Sequence, residues 1–286
     1  MAKDTFFCPK KTLNFRGKII NLSSPVVMGV MNITPDSFYD GGKYRNPIDA
    51  INLAGKHLDE GAHILDMGAA SSRPGATLID PQTEQQRLLP ALKAVVKQFP
   101  DAIVSVDTYH SGTARRALDA GAHMINDISA GNIDPGMYDT VAEYQVPYAI
   151  MHMQGTPADM QLHPQYKRLV KEVAAFFSEK TAILKQKGLH DIIIDPGFGF
   201  GKTPEQNYKL LASLDFFAIT GLPLMVGFSR KSMINKVLHT TPESALNGTT
   251  VLNTLALDKG ANILRVHDVK EAVEAIKLVT YLHKNA

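Results

Sequence analysis

The stretch IVSVDTYHSGTARRALDAGAHMINDIS, residues 103–129, contains a strand, a loop, a helix and a second strand in that order. Its opening run IVSVDT (103–108) and closing run MINDIS (124–129) are short, apolar and close on polar residues. Between them the apolar residues Ala114, Ala117 and Leu118 recur at helical spacing, which predicts a helix over 112–120. Two buried strands joined by a helix lie parallel, because a parallel pair needs a crossover too long for a tight turn.

The same unit recurs in both directions. The other apolar runs are VVMGVMN (26–32), HILDMG (63–68), YAIMHM (148–153), IIIDPG (192–197), PLMVGFS (223–229) and ILRVH (263–267). Helical spacing predicts further helices over 48–60, 84–98 and 166–187. Eight strand runs alternating with helices in a chain of 286 residues predict an α/β fold, a single (β/α)8 TIM barrel. The competing architecture is a doubly wound open sheet, which carries a Gly-rich turn after its first strand. Here the first run leads into NITPDSF (32–38), which is no such turn.

Ahead of the barrel, TLNFRGKIINL (12–22) alternates apolar and polar residues about Arg16-Gly17 and predicts a β-hairpin that caps the barrel's N-terminal end. The expected organisation is a hairpin extension over 1–24 and one barrel domain over 25–286.

Composition narrows the function classes. With 30 basic and 28 acidic residues the net charge is +2, so no global field draws the chain to nucleic acid or an anionic membrane. A hydrophobic content of 44% suits a packed soluble core. No apolar run approaches the roughly 20 residues that cross a bilayer. Cys8 is the single cysteine and the opening MAKDTFFCPKK does not read as a secretory signal, which together predict a cytoplasmic protein.

In a barrel of this kind the active site lies at the C-terminal ends of the strands. The runs deliver Asn32, Asp66, Asp107, Asn126, Asp127, His152, Asp195, Arg265 and His267 to that end. Any one of them could be a helix cap or a turn closer. As a set they predict a polar mouth, since a buried polar group without a partner costs about 1–3 kcal/mol. Asp107, Asn126 and Asp195 together suit a flat heterocycle rich in N–H groups. Arg265 adds a planar cation and Lys231 a point charge. His267, two residues beyond Arg265, shares its face and could join it on phosphate oxygens.

Three further segments bear on ligands. In SRKSMI (229–234), Ser229 and Ser232 flank Arg230-Lys231 at a strand-to-helix turn, a place where anions bind and also where a helix is simply capped. DPGFGFGKT (195–203) ends like a phosphate-binding loop, but Pro196 stands where that motif needs glycine and Pro204 follows at once. Its glycines predict a tight loop that brings Phe198 or Phe200 to a ligand. His152 lacks companions at zinc spacing and is read as a packed or hydrogen-bonded histidine. An oxygen-rich mouth beside phosphate favours magnesium, with Asn32 as a candidate ligand.

At MGVMNITPDSFYDGG (28–42), SSRPGA (71–76), VSVDT, INDIS, MHMQGTP (151–157), IIDPGFGFGKT (193–203), VGFSRKS (226–232), NGT (247–249) and LRVHDV (264–269), the chain resembles the dihydropteroate synthase family of pterin-binding enzymes. The resemblance implies joining of 6-hydroxymethyl-7,8-dihydropterin pyrophosphate to p-aminobenzoate, with release of pyrophosphate, by a dissociative route. It implies that Asp107, Asn126, Asp195 and Lys231 hold the pterin with Arg265 stacked on it. It implies that Asn32 binds Mg2+, and that Asn32, Arg265 and His267 face the pyrophosphate. Asn32, Asp107, Lys231, Arg265 and His267 would form the catalytic set. Ser72 and Arg73 on the loop after the second barrel strand, Phe200 and Ser232 would serve p-aminobenzoate. Sulfonamides as inhibitors and a homodimer through the last helices are implied as well. The family commonly reads DIGGESTRPG where this chain has DMGAASSRPG (66–75). Ala70 therefore lacks a carboxylate and Ser72 replaces threonine, which bears on how tightly sulfonamides are held.

Two alternatives remain at this stage. One is a pterin-dependent methyltransferase barrel, which would not need the SSRPGA loop, the SRKS turn or the Arg265/His267 pair. The other is a pterin-binding protein without catalysis, which would not need a metal and pyrophosphate site.

Overall fold

The computed structural model describes residues 10–33, 47–70, 75–162 and 164–285. An antiparallel hairpin of β1 (Thr12–Phe15) and β2 (Lys18–Asn21) comes first. The barrel then runs β3 (Val26–Asn32), α1 (Pro47–Asp59), β4 (Ile64–Gly68), α2 (Pro81–Gln98), β5 (Ile103–Asp107), α3 (Ser111–Asp119) and β6 (Met124–Asp127). It continues with α4 (Met137–Tyr144), β7 (Tyr148–Met151), α5 (Leu169–Gln186), β8 (Ile192–Asp195), α6 (Pro204–Ala212) and β9 (Met225–Val226). It ends with α7 (Ser232–Leu238), α8 (Leu246–Asp258), β10 (Ile263–Val266) and α9 (Val269–Asn285). The eight parallel strands lie in the order β8-β7-β6-β5-β4-β3-β10-β9. A parallel bridge between Ile194 and Leu224 joins the two end strands, so the sheet curls into the predicted barrel.

The helices expected over 48–60, 84–98, 112–120 and 166–187 all form, with ends displaced by at most three residues. At α2 the displacement follows the cap. Asp80 accepts from Thr83 N at 2.9 Å and Pro81 occupies the first helical position, so α2 starts three residues before the apolar periodicity does. The eight-residue α4 carried no comparable signal, since its N-cap is Gly136, which has no side chain to cap with.

Strand alternation sorts the side chains into two shells. Val27, Leu65, Val104, Ile125, Ile150, Ile194 and Leu264 pack outward against the helices. Met28, Ile64, Ile103, Met124, Ala149, Ile193, Met225 and Ile263 point inward and form one apolar layer at the bottom of the barrel. The hairpin completes that layer. Leu13 and Phe15, alternate residues of β1, are fully buried in it together with Leu22. Each such side chain contributes about 1.5–3 kcal/mol of burial. Arg16, at φ 56° in the hairpin turn, donates through Nη1 to Leu118 O (2.7 Å) and Ala122 O (3.2 Å) and so ties the plug to the end of α3. Among the described residues no helix is long and apolar enough to cross a membrane.

Candidate active site

Two residues beyond the apolar layer, the same inward faces carry different chemistry. Ile64, Met124, Ile193 and Ile263 are followed at +2 by Asp66, Asn126, Asp195 and Arg265. Period-2 alternation therefore aims all four into the barrel above its apolar floor. Asp107, four residues beyond Ile103, lies one step higher on β5.

Arg265 organises this level. Its Nε donates to Asp66 Oδ2 at 2.6 Å and its Nη2 to Asp107 Oδ2 at 2.7 Å. Asp66 Oδ2 also accepts from Asn126 Nδ2 at 3.1 Å. The guanidinium is thus clamped between carboxylates from β4 and β5, while its side chain stays 22% exposed toward the mouth. With its NH2 turned to Asp66, Asn126 keeps its oxygen for a ligand N–H. Asp195 accepts from Gly197 N at 2.8 Å through Oδ1, which leaves its second oxygen for a ligand. Burial pushes the Asp107 and Asp195 carboxyls up, and Arg265 and Lys231 respectively oppose that rise.

Lys231 enters from the β9–α7 turn. Its Nζ donates to Phe198 O at 2.6 Å and stands 4.7 Å from the centre of the Phe200 ring. Burial pulls the ammonium down to about 8, with Asp195 and Asp107 working the other way. The sequence left Phe198 and Phe200 as alternatives, and the structure separates them. Phe198 is fully buried against Phe228, with centroids 4.4 Å apart, whereas Phe200 is half-buried against the cluster of Tyr109, Ile128 and Met151. Ser232 is exposed at the first position of α7, next to Lys231.

A second pair stands at the ends of β3 and β10. Asn32 Nδ2 lies 3.5 Å from His267 Nε2, and His267 Nδ1 is 2.9 Å from Ser229 Oγ. Burial, followed by the field of Arg265, pulls His267 down to about 3, which keeps the ring neutral near pH 7. Asn32 contributes one neutral oxygen, which suits magnesium held mainly by substrate phosphate oxygens and water.

The remaining candidates divide differently from their reading in the sequence. Arg230 does not join Lys231 at an anion site. At φ 59° its side chain swings back, Nε and Nη2 bind Asp268 at 3.0 and 2.6 Å, and Nη1 reaches Pro242 O and Glu243 O. It is a buried clamp that fixes the β9–α7 turn to the end of β10. Asp127 closes its own turn, accepting from Ser129 N, Gly131 N and the Tyr148 hydroxyl. His152 is buried and lies 3.1 Å from Lys202 Nζ through Nδ1, in line with a hydrogen-bonded rather than a metal-bound histidine. Ser72 and Arg73 lie outside the described residues. Asp66 belonged to the expected polar mouth without a role of its own, and the structure makes it the buried partner of Arg265 Nε.

The family profile described as "Pterin binding enzyme" matches residues 28–267. The dihydropteroate synthase of Escherichia coli (strain K12) is 43% identical over 266 residues, covering 92% of this chain and 94% of that protein. This chain belongs to the dihydropteroate synthase family of pterin-binding enzymes. Solved structures of the family share its shape. The Yersinia pestis dihydropteroate synthase with a sulfonamide drug complex superposes with a TM-score of 0.92 at 40% identity, covering 96% of this chain and 99% of that one. The Xanthomonas albilineans dihydropteroate synthase in complex with 7,8-dihydropteroate gives a TM-score of 0.84 at 35% identity, covering 95% and 98%. With the family assigned, the methyltransferase alternative falls away. The clamped Arg265 and the Asn32/His267 pair take their place in an enzyme that handles a pterin.

Proposed function

We propose that the chain joins 6-hydroxymethyl-7,8-dihydropterin pyrophosphate to p-aminobenzoate, giving 7,8-dihydropteroate and pyrophosphate. The observation that carries this reading is Arg265 held between Asp66 and Asp107, at the level of Asn126 and Asp195 inside the barrel. In this reading the pterin ring lies on the guanidinium face. Its N–H groups meet Asp107, Asn126 Oδ1 and Asp195, and its acceptors meet Lys231.

Asn32 would hold a magnesium ion, which would draw charge off the pyrophosphate oxygens. Arg265 and His267 face the same group, with the neutral His267 ring turned to Asn32 Nδ2 and Ser229 Oγ so that the Asn32 oxygen is left for the metal. The carbon–oxygen bond at the pterin methylene breaks and the electron pair leaves with pyrophosphate. The methylene cation is then attacked by the nitrogen lone pair of p-aminobenzoate, which afterwards releases a proton to solvent. The protein's part is positioning and charge stabilisation, with no covalent intermediate on the chain. Phe200 forms a wall for the arylamine ring, and Ser232 at the start of α7, with Ser72 and Arg73, receives its carboxylate end.

Sulfonamides, as arylamine mimics, would compete in the same pocket, which in this chain has Ala70 and Ser72 in place of a carboxylate and a threonine. A cytoplasmic location fits a biosynthetic enzyme of this kind. A homodimer would form through α8 and α9, where Val251 (49% exposed), Leu255 (46%), Leu278 (73%) and Tyr281 (72%) leave apolar surface in water.

The test is pyrophosphate release by the purified chain with magnesium. It should require both substrates, and a sulfonamide should raise the apparent KM for p-aminobenzoate. Turnover unchanged by saturating sulfonamide at low p-aminobenzoate would contradict the shared pocket.

A further inference from the structure

Lys202 closes the motif that resembles a phosphate loop, yet its side chain turns into the protein. It is 2% exposed, and its Nζ lies 3.1 Å from His152 Nδ1, 3.2 Å from His152 O, 3.0 Å from Gly197 O and 3.0 Å from Phe200 O. Among the described residues no carboxylate lies within salt-bridge distance of it. A buried ammonium without an ion-pair partner is costly. Burial pulls Lys202 down to about 7 and the field of Asp195 holds it up.

The carbonyls it binds account for the placement. The loop from Gly197 to Gly201 joins β8 to α6 and takes positive φ at Gly197, Gly199 and Gly201 (72°, 83° and 58°). Such a path pairs little of its backbone, and apart from Phe200 N donating to Gly197 O at 3.1 Å its carbonyls are met by side chains. Gly199 O takes Gln161 Nε2 at 2.6 Å and Gly201 O takes the Tyr166 hydroxyl at 2.8 Å. Phe198 O takes Lys231. Gly197 O and Phe200 O face Lys202.

We propose that Lys202 is a positioning residue for the second substrate: by holding the Gly197 and Phe200 carbonyls it fixes the Phe200 ring as the wall of the arylamine pocket. The inference rests on the functional reading above and adds a residue to it. Without the ammonium, Phe200 O has no donor among the described residues, and the peptide after Phe200 turns to reach water and carries the ring with it. The pterin side keeps an anchor of its own. Phe198, whose carbonyl binds Lys231, is locked in the core against Phe228.

The prediction is therefore a split between substrates. Lys202→Met in the full chain should raise the KM for p-aminobenzoate about tenfold or more, the scale of a lost charge-assisted bond. The KM for dihydropterin pyrophosphate, and pterin binding by calorimetry, should stay within about twofold of wild type. Circular dichroism melting establishes that the variant is folded. If it is not, Lys202→Gln, whose amide still donates, carries the same test with an expected rise of about threefold. An arylamine KM equal to wild type, or both KM values rising together, would overturn the inference while wild-type activity leaves the functional reading standing. An inactive wild type would remove that reading first.

Discussion

Replacing Asp66 by Asn keeps the shape of the side chain and removes its charge, so it isolates the clamp on Arg265. In the wild type Asp66 Oδ2 accepts from Arg265 Nε at 2.6 Å and from Asn126 Nδ2 at 3.1 Å, with the carboxylate fully buried. The substitution turns a charge-assisted bond, worth about 1.5–3 kcal/mol, into a neutral one of about 0.5–1.5 kcal/mol. Asp107 still pairs with Nη2, so the guanidinium is not orphaned and the loss is about 1–2 kcal/mol rather than the larger penalty of an unpaired buried charge. At about 2–4 °C per kcal/mol for a domain of this size, Tm should fall by about 2–8 °C. A guanidinium free to swing presents its face to the pterin less well, and the same energy corresponds to about 5- to 30-fold weaker pterin binding. Differential scanning calorimetry reads the first quantity and titration calorimetry with a pterin reads the second. A variant with unchanged Tm and pterin affinity within twofold would refute the clamp. A fall in Tm alone would leave Asp66 a structural residue with no part in the site.

Other consequences are as direct. Gly201→Ala would place a methyl 2.6 Å from Gln154 O at φ +58°, so the loop must shift; Tm should drop and arylamine KM should rise, and wild-type values for both would contradict the loop geometry. Pterin affinity should weaken as pH rises past about 8, where Lys231 loses its proton. Lys231→Arg, charged throughout, should abolish that limb, and its persistence would assign the titration to another group. Leu278→Glu places a charge in the exposed apolar stretch of α9 and should give monomers in sedimentation velocity with the fold intact. A dimer as tight as wild type would exclude this face.

Much of the barrel was legible because its signals are local and repetitive. Short Val/Ile/Met runs define the strands, and Asp107, Asn126, Asp195, Arg265 and His267 stand out because nothing in a doubly buried strand calls for them. What stayed hidden depends on backbone geometry that composition does not encode. Arg230 and Lys231 are adjacent cations, and only the left-handed φ at Arg230 sends one to Asp268 and the other to the mouth. The loop spacing left Phe198 and Phe200 equivalent, and only the family resemblance singled out Phe200. The path through three positive-φ glycines buries the first and leaves the second half-buried. Lys202 could be rejected as a phosphate ligand from Pro196 and Pro204, but its burial beneath the loop depends on where the carbonyls point.

The central claim is tested most directly by incubating the chain with magnesium, dihydropterin pyrophosphate and p-aminobenzoate and following the product by mass spectrometry. Formation of 7,8-dihydropteroate with one pyrophosphate released per product is the predicted result, and Arg265→Ala should reduce it by about 100-fold or more while the chain remains folded. A chain that binds the pterin yet forms no adduct with any arylamine would contradict the account.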